Sequence, residues 1–499
     1  MNKKLFYGGL AVVLAGGFLY WKTLAPTYLW SDSAKLAIYV HQKFFGFGWG
    51  VHGLHNLIGL LFSKLPFELA YTQNLMSAFF AVLGLLFIYF VVLDFAKDIL
   101  PALVAVFALA VSQNYWHYAV INESYTVDIF FRALCFWLIL QFRKKGNFSL
   151  LFLFFFFWSL SLGNHNSHLL WLPGYLFLIW HKDNWRYLQP RYLLLCLLAI
   201  LLGFLPLSIA VKVFNNLSWL EVIKNFSNTH YISFSSYVNW KRLPFELFRY
   251  PFYLAYQFPF LGFFVGILGG YLQKKREPRN FYGLLILFIF TLIPASGYYL
   301  KARQFALLLP TYLIFSLWVG VGIEYLIERL PVFRLRNLVI LSIFVFPTIG
   351  LYAVMPGLCK SLGVELSFAR ALPYRDNLRY YLWPPKNKEY GARNYVEDAF
   401  QEAEPNSVII ADFNPGMALL YAQRVMGKRP DIVIKEEIVD HILYGEKEPI
   451  TALRRVIDGY LNERSVYLAD TYEPYYFTAE LKKYYQIVPG KAVARVVKK

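Results

Sequence analysis

Eleven apolar segments, of which 168–180 is short, constrain this chain more than any other feature of its sequence. A helix that crosses the ~30 Å hydrocarbon core of a membrane needs roughly 20 mostly apolar residues. Hydrophobic residues make up 58% of the chain and charged residues only 16%, whereas about a quarter of a soluble domain is charged. The sequence therefore predicts a polytopic α-helical membrane protein with about eleven transmembrane helices. The candidate spans are 5–21, 75–93, 99–116, 125–142, 148–163, 168–180, 192–213, 251–272, 281–300, 305–327 and 338–356.

The net charge of +18 is concentrated in particular connections between these spans. Lys and Arg cluster at the N-terminus and in residues 143–147, 181–191, 273–280 and 328–337. With eleven spans, all five clusters fall on one face, which the positive-inside rule assigns to the cytoplasm. The sequence thus predicts a cytoplasmic N-terminus and an extracytoplasmic C-terminal region. It also predicts that the partner of the positive charge is a lipid bilayer rather than a nucleic acid.

The first apolar segment leaves one alternative open. Residues 3–21 have a basic start and an apolar middle, as a cleaved signal peptide does, but no small-x-small cleavage site follows them cleanly. We therefore expect this segment to remain as the first span. The chain carries no recognisable eukaryotic retention signal, which favours a bacterial inner membrane over the endoplasmic reticulum.

The composition changes near residue 358 from apolar spans to a mixed pattern. Short apolar runs at 407–412, 431–438, 465–470 and 485–490 read as strands, and 448–463 reads as a helix between two of them. Strands that alternate with helices are typical of an α/β domain with a largely parallel sheet. We expect a transmembrane domain over residues 1–357 and an extracytoplasmic α/β domain over residues 358–499.

Four polar groups border the apolar spans on the predicted outer face. Ionisable side chains near membrane depth are costly and tend to face a cavity, a partner or a substrate. Each group also has a structural alternative, such as helix capping, ion pairing or contact with lipid headgroups. The groups are Asp32 with Lys35; His117, Asn122, Glu123 and Tyr125; Asn164, His165, Asn166 and His168; and Tyr298, Tyr299, Lys301 and Arg303.

Several enzyme classes leave no trace in the sequence. His52 and His55, like His165 and His168, are three residues apart, but no Cys cluster or HExxH motif accompanies them, so we expect no metal site. The chain has no Walker-type loop, no GxGxxG loop and no GxSxG elbow. The sequence predicts no cofactor.

The outer-face motifs resemble those of a known family. The stretches "WHYAVINESY", "GNHNSHLLWLPG", "RQFALLLPTYLIFSLWVGVG" and "YAQRVMGKRPDIVI" are together similar to the transmembrane protein 260 family of GT-C glycosyltransferases, which are O-mannosyltransferase-like. The resemblance implies a GT-C-like fold and transfer of a sugar from a polyprenyl-phosphate donor to a protein or glycan acceptor on the extracytoplasmic face. Mannose is one candidate sugar. In this chain Lys35 replaces an acidic residue of the family pattern, and "GWGVHGLH" replaces a His-Pro-Pro-Gly turn.

The resemblance also implies roles for individual residues. Asp32 lies in the first outer loop, where GT-C enzymes carry their catalytic carboxylate, and is the candidate base. Loss of a phosphate leaving group calls for cations, which makes Arg303 and Lys301 the candidate donor-phosphate ligands. The candidate cavity-lining residues are Lys35, His52, His55, Glu123, Asn164, His165 and His168.

The sequence leaves two other functions open. A multispan transporter or lipid flippase would place ionisable groups near the middle of its spans and have two related halves, neither of which the sequence shows. A non-catalytic member of the enzyme family is compatible with the replacement by Lys35.

Overall fold

The structure, a computed structural model, describes residues 3–48, 50–180, 182–228, 238–298, 301–331, 335–436, 439 and 448–499. Helices dominate the first 361 residues. They are α1 (Lys3–Thr23), α2 (Asp32–Gln42), α3 (Gly53–Phe62), α4 (Leu69–Ala96), α5 (Ile99–Ala110), α6 (Gln113–Ala119), α7 (Tyr125–Lys145), α8 (Phe148–Leu162), α9 (Leu172–Ile179), α10 (Pro190–Phe214), α11 (Trp219–Asn228), α12 (Leu243–Gln257), α13 (Leu261–Arg276), α14 (Pro278–Gly297), α15 (Lys301–Leu307), α16 (Leu309–Ile327) and α17 (Arg336–Ser361), with 3-10 segments at Asn166–Trp171 and Lys182–Leu188.

Each predicted apolar span coincides with a helix or with two consecutive helices. Within the described residues, seven helices are long and apolar enough to cross a membrane, namely α1, α4, α7, α10, α14, α16 and α17. The pairs α5–α6 and α12–α13 are bent by 71° and 113° and bring the number to nine if each pair is one span. The predicted spans at 148–163 and 168–180 correspond to the shorter helices α8 and α9, so the number eleven stays a prediction.

The connections between helices gather at two opposite ends of the bundle. At one end Lys144 forms an ion pair with Asp94 (2.6 Å), Arg143 donates to Asn280 and Arg186 donates to the carbonyl of Gly146 (3.1 Å). We call this end, which holds the connections 97–98, 146–147 and 277, the basic end. The end that carries residues 24–31, 120–124, 163–165 and the C-terminal domain is called the domain end. The predicted basic connections 143–147, 181–191 and 273–280 therefore share one end of the molecule.

The C-terminal region is a small α/β domain, as predicted, but its sheet is mixed rather than largely parallel. Its sheet has the order β2-β1-β3-β5-β4, in which β1 pairs with β2 and β3 in parallel while β5 runs antiparallel to β3 and β4. The four predicted strands are present, and β5 is an addition. The elements are β1 (Val408–Ile410), β2 (Val433–Lys435), β3 (Val466–Leu468), β4 (Tyr485–Pro489), β5 (Ala494–Lys498), α18 (Asn377–Leu382), α19 (Gly391–Glu402), α20 (Phe413–Arg424), α21 (Pro449–Leu461), α22 (Glu473–Tyr476) and α23 (Thr478–Leu481).

The core of this domain includes side chains from the start of the chain. Tyr28, Trp30, Ala34 and Ile38 are buried in the same apolar cluster as the strands. Burial of apolar side chains is the main stabilising term in folding, so this shared core fixes helix α2 against the domain. Helix α17 also continues past the predicted boundary at residue 357, to Ser361. The boundary itself stays a prediction.

Arg370 occupies the edge of the sheet at which open α/β sheets usually bind ligands. Asp412 follows β1 and Asp470 follows β3, at the carboxyl ends of two neighbouring strands where the connections diverge. The buried guanidinium of Arg370 pairs with both carboxylates. Asp412 also caps helix α20, because its carboxylate accepts from the N–H of Asn414 (3.1 Å). This crevice therefore serves to hold the domain on its linker.

Candidate active site

Asp32 is the first residue of helix α2, next to the C-terminal domain. The preceding residue, Ser31, has a φ of 58°, a left-handed conformation that is uncommon outside glycine and is found where the surrounding structure enforces it. The hydroxyl of Ser31 donates to the side-chain oxygen of Asn414 in the domain. This contact between domain and loop holds the start of α2, and thereby the predicted catalytic carboxylate, in one place.

Lys35 lies one helical turn after Asp32 and pairs with it. The ammonium nitrogen is 2.5 Å from Oδ1 of Asp32, and the carboxylate side chain is 20% exposed. The same ammonium lies 5.2 Å from the ring centre of Phe413, in the C-terminal domain. A cation between a carboxylate and the face of an aromatic ring is attracted by both. The replacement of the family's acidic residue by Lys35 therefore gives Asp32 a cationic neighbour.

His52 lies close to this ion pair and is bonded to the turn that follows α8. Its Nδ1 is 2.7 Å from the carbonyl oxygen of Asn164, and since a carbonyl can only accept, Nδ1 carries the proton. The pKa of His52 is lowered to about 3, mainly by burial and also by the neighbouring His165, while the bond to Asn164 and the charge of Asp32 partly oppose this shift. His52 is therefore a neutral imidazole whose Nε2 has its lone pair available.

The two turns predicted to be functional are tied to the first outer loop by buried amides. Nε2 of His55 donates to the side-chain oxygen of Asn122 (2.9 Å), and the amide of Asn122 donates to the carbonyl of Ser33 (2.9 Å). The amide of Asn164 donates to the carbonyl of Ser124 (3.1 Å). Since these bonds connect α2, α3 and both turns, the structure brings together segments that are more than a hundred residues apart in sequence.

A buried ionic chain that supports His165 was not predicted. Nε of Arg132 donates to Asp128 at 2.7 Å, and its Nη2 donates to the hydroxyl of Ser167 at 2.8 Å. That hydroxyl is 2.7 Å from Nδ1 of His165, whose ring centre lies 5.4 Å from that of His52. The available sequence signal was the Asp–Arg pair four residues apart in an apolar helix.

Glu123 belongs to the turn at 120–124, at the domain end. Burial is the main cause of the raised pKa of Tyr380 in helix α18, and the charge of Glu123 is one of its smaller causes. The carboxylate of Glu123 is therefore near helix α18.

His168 packs inside the helical bundle. The side chain is fully buried, its Nδ1 is 2.5 Å from the hydroxyl of Ser161 and its Nε2 is 3.0 Å from that of Tyr175. These contacts are those of a histidine that joins two helices. Its role as a cavity-lining residue stays a prediction.

The predicted phosphate ligands Lys301 and Arg303 begin helix α15, and their side chains lie outside the described residues. The helix itself is held at the domain end. Gln304 donates to the carbonyls of Ser296 (2.9 Å) and Tyr298 (3.0 Å), and the amide of Asn114 donates to the carbonyl of Phe305 (2.9 Å). Within the described residues no three metal-type side chains converge.

The fold of this chain is shared by solved structures of another protein. Two crystal structures of ArnT from Cupriavidus metallidurans share it along nearly the whole chain. The structure bound to undecaprenyl phosphate has a TM-score of 0.58 and 11% identity and covers 99% of this chain and 98% of ArnT. The apo structure has a TM-score of 0.59 and 13% identity, with coverages of 98% and 96%. The predicted GT-C-like fold is confirmed, and the chain is an integral, multi-pass membrane protein.

A family comparison narrows this class. Residues 52–188 match the family model of the protein O-mannosyl-transferase TMEM260 N-terminal domain, which confirms the predicted resemblance over that segment. The matched residues include both polar turns, whereas Asp32 and Lys35 precede them. A comparison with curated proteins finds no match. The family match and the ArnT fold support the predicted class of membrane glycosyltransferase.

Proposed function

We propose that this protein transfers a sugar, with mannose as the first candidate, from a polyprenyl-phosphate donor to a hydroxyl of a protein or glycan at the domain end. One observation carries the proposal. The Asp32–Lys35 pair at the start of α2 lies beside neutral His52, and the turns that hold this site belong to the segment that resembles an O-mannosyltransferase family. Binding of undecaprenyl phosphate by ArnT supports a polyprenyl-phosphate donor.

The proposed reaction requires one base and a site for the leaving phosphate. The acceptor oxygen attacks the anomeric carbon while the bond from that carbon to the phosphate oxygen breaks, and its electron pair leaves with the polyprenyl phosphate. Asp32 takes the acceptor's proton, the usual task of a carboxylate opposite the leaving group. Lys35, 2.5 Å away, forms an ion pair with this carboxylate before the reaction. Arg303 and Lys301 are the proposed ligands of the phosphate oxygens.

The proposal includes an orientation and a location. The domain end, with residues 358–499, faces outward, and the basic end with the N-terminus faces the cytoplasm, in accordance with the positive-inside rule. The membrane is proposed to be a bacterial inner membrane. Lipid-linked donors lie at the bilayer boundary, which is why the base follows the first span so closely in sequence.

The direct experiment is a transfer assay. Purified protein in nanodiscs is incubated with radiolabelled undecaprenyl phosphomannose and with the same lipid carrying other sugars, together with peptide and glycan acceptors. Labelled acceptor is the expected product. Transbilayer movement of the lipid without transfer would instead identify a flippase, and lipid binding without either activity would identify a non-catalytic member of the family.

A further inference from the structure

Two broken helices meet at one point of the domain end. The break between α5 and α6 and the break between α12 and α13 bend the chain by 71° and 113°. They are joined by a bond from the backbone N–H of Asn114 to the side-chain oxygen of Gln257 (2.9 Å). Broken helices at membrane depth leave backbone groups to be satisfied and are tolerated where they are buried in protein or line a cavity. Here both breaks border the same cavity.

This cavity, which we call the break cavity, has a volume of about 240 Å³. Its walls come from α6, the α12–α13 break, α15, α17 and α18, and aromatic rings and side-chain amides predominate. Among the described residues that line it, none is charged. Hydrogen bonds from side-chain amides fix the walls. Gln113 donates to the carbonyl of Tyr381 (2.5 Å), and Asn114 donates to the carbonyl of Phe305 (2.9 Å). The cavity is therefore preformed.

Two residues of the wall each carry a buried polar atom that lacks a protein partner. Nδ1 of His117, a side chain that is only 6% exposed, and the hydroxyl of Tyr256 have no hydrogen bond within the described part of the chain. Both residues line the break cavity. Buried polar groups in folded proteins are almost always paired, so each exception calls for an explanation. A ligand with hydrogen-bonding groups provides one.

We infer that the break cavity binds an uncharged hydroxylated ring, the chemistry of a sugar. Hydroxyl groups satisfy the two unpaired atoms, and the surrounding rings of Tyr118, Tyr253 and Tyr381 offer apolar faces to the C–H faces of such a ring. The identity of the ring as a sugar rests on the proposed function. It belongs to the donor or to a glycan acceptor, and the two sources share this chemistry.

The cavity discriminates against the other parts of a lipid-linked donor. A phosphate placed there would meet no cation among the described lining residues, although a desolvated anion requires one. An isoprenoid chain would leave His117 and Tyr256 unpaired, which is costly for buried groups. Phe305, on the wall, is two residues from the proposed phosphate ligand Arg303. A sugar in the cavity would therefore lie next to the helix expected to hold its phosphate.

The test is a substitution that removes only one oxygen. Tyr256→Phe keeps the ring and loses a hydroxyl that has no protein partner, so folding and thermal stability are expected to be unchanged. With protein in nanodiscs, affinity for undecaprenyl phosphomannose should fall about 3- to 10-fold, as for loss of one neutral hydrogen bond, while affinity for bare undecaprenyl phosphate is retained. His117→Phe, which also keeps a ring, should behave in the same way.

A matched control is available on the same helix. The hydroxyl of Tyr250 donates to Thr311 at 2.7 Å, so Tyr250→Phe should lower the thermal stability and leave both affinities unchanged. If the donor affinity of Tyr256→Phe is normal but its KM for a glycan acceptor rises by the same factor, the ring belongs to the acceptor. Equal losses for loaded and bare lipid, or no change in any of these quantities, would overturn the inference.

A separate measurement distinguishes this inference from the proposed function. Thermal stabilisation of the wild type by methyl α-mannoside and other methyl glycosides, at tens of millimolar, requires no transfer. If the wild type transfers nothing but is stabilised by a glycoside, and Tyr256→Phe is not, the cavity assignment holds and the transferase proposal fails. A wild type that transfers sugar, with a Tyr256→Phe variant equal to it in affinity and KM, overturns the cavity assignment alone.

Discussion

Two Asp–Lys pairs, one at each end of the bundle, are nearly identical in geometry and differ in their surroundings. Asp32 and Lys35 are 2.5 Å apart at the domain end, Asp94 and Lys144 are 2.6 Å apart at the basic end, and both carboxylates are 20% exposed. Lys144 is 49% exposed, whereas Lys35 is 13% exposed and lies against Phe413. The pairs therefore differ mainly in how strongly the cation is enclosed.

The pair at the basic end is a surface contact, whereas the pair at the domain end belongs to an ordered group of buried polar side chains. Exposed ion pairs contribute only about 0–1 kcal/mol to stability, and the pairs of the basic end, including Arg276 with Glu324 (2.8 Å), are of this kind. At the domain end the polar groups are mostly uncharged imidazoles and amides that are buried and hydrogen-bonded, as His55 is to the side chain of Asn122 and Asn122 is to the carbonyl of Ser33. Such networks are costly to leave incomplete, so they are expected where a position must be held.

The largest expected effect concerns which end faces the cytoplasm. A reporter that is active only in the cytoplasm, fused after Lys499, is expected to remain silent, because the basic connections share the end opposite the C-terminal domain. The same reporter inserted after Gly146, at the basic end, should be active. A strong signal from the C-terminal fusion would reverse the orientation of the molecule and the side of the proposed active site.

The next largest effect should distinguish the two ion pairs. Asp32→Asn keeps the shape of the side chain and removes the proton acceptor, and loss of a general base commonly costs roughly 10²–10⁴ in rate. Asp94→Asn is the matched control, with the same carboxylate exposure and a lysine partner, and should transfer at nearly the wild-type rate. Sugar transfer and thermal stability are measured on the same preparations. An Asp32→Asn variant of normal stability and within a few-fold of wild-type transfer would rule out this base.

A smaller effect is expected from the cation proposed to hold the phosphate. Arg303→Ala should weaken donor binding about 10- to 100-fold, the range of a charge-assisted bond. Arg303→Lys should weaken it less, because it keeps the charge and loses only the two-pronged geometry. Arg276→Ala, at the basic end, serves as the control. Equal binding of undecaprenyl phosphomannose by wild type and Arg303→Ala would reduce Arg303 to a membrane anchor.

Much of this architecture follows from local pattern. The length of the apolar segments predicted the helices, and the apolar runs near 407, 431, 465 and 485 predicted four of the five strands, because these signals depend on neighbouring residues only. The polar turns at Asn122 and Asn164 were singled out because they interrupt apolar spans. Their convergence with His52 and His55 required the resemblance or the structure, since it depends on contacts between distant segments.

Other features depend on tertiary contacts that the sequence does not reveal. The span at 251–272 was read as continuous, although Pro259 favours an extended conformation at the preceding residue and the chain turns there by 113°. The shared core of Tyr28 and Trp30 with the C-terminal domain joins segments over 340 residues apart. Lys386 stands in the polar stretch "PPKNKEY", which suggests a solvated lysine, yet the structure buries it.

The smallest expected effect contrasts this buried lysine with Lys144. Lys386 is 1% exposed, and its ammonium donates to the carbonyls of Trp383 (2.7 Å) and Pro384 (2.9 Å). Burial lowers its pKa from 10.5 to about 7, Glu389 partly opposes this shift, and Arg379 adds to it. Below pH 7 the folded and unfolded states both carry the proton, so the full cost of burying the charge opposes folding.

Above pH 7 the folded protein loses a proton that the unfolded chain keeps until about pH 10.5. The unfolded state then binds more protons, so stability should rise with pH, by at most about 1.4 kcal/mol per pH unit. The melting temperature, measured in detergent between pH 6.5 and 9.5, should therefore increase in the wild type, and Lys386→Met should flatten that increase. Lys144→Met should retain the wild-type slope, because the side chain of Lys144 is half exposed. Parallel profiles for wild type and Lys386→Met would mean that Lys386 does not titrate in this range, and the contrast between buried and surface cations would then rest on Lys35 alone.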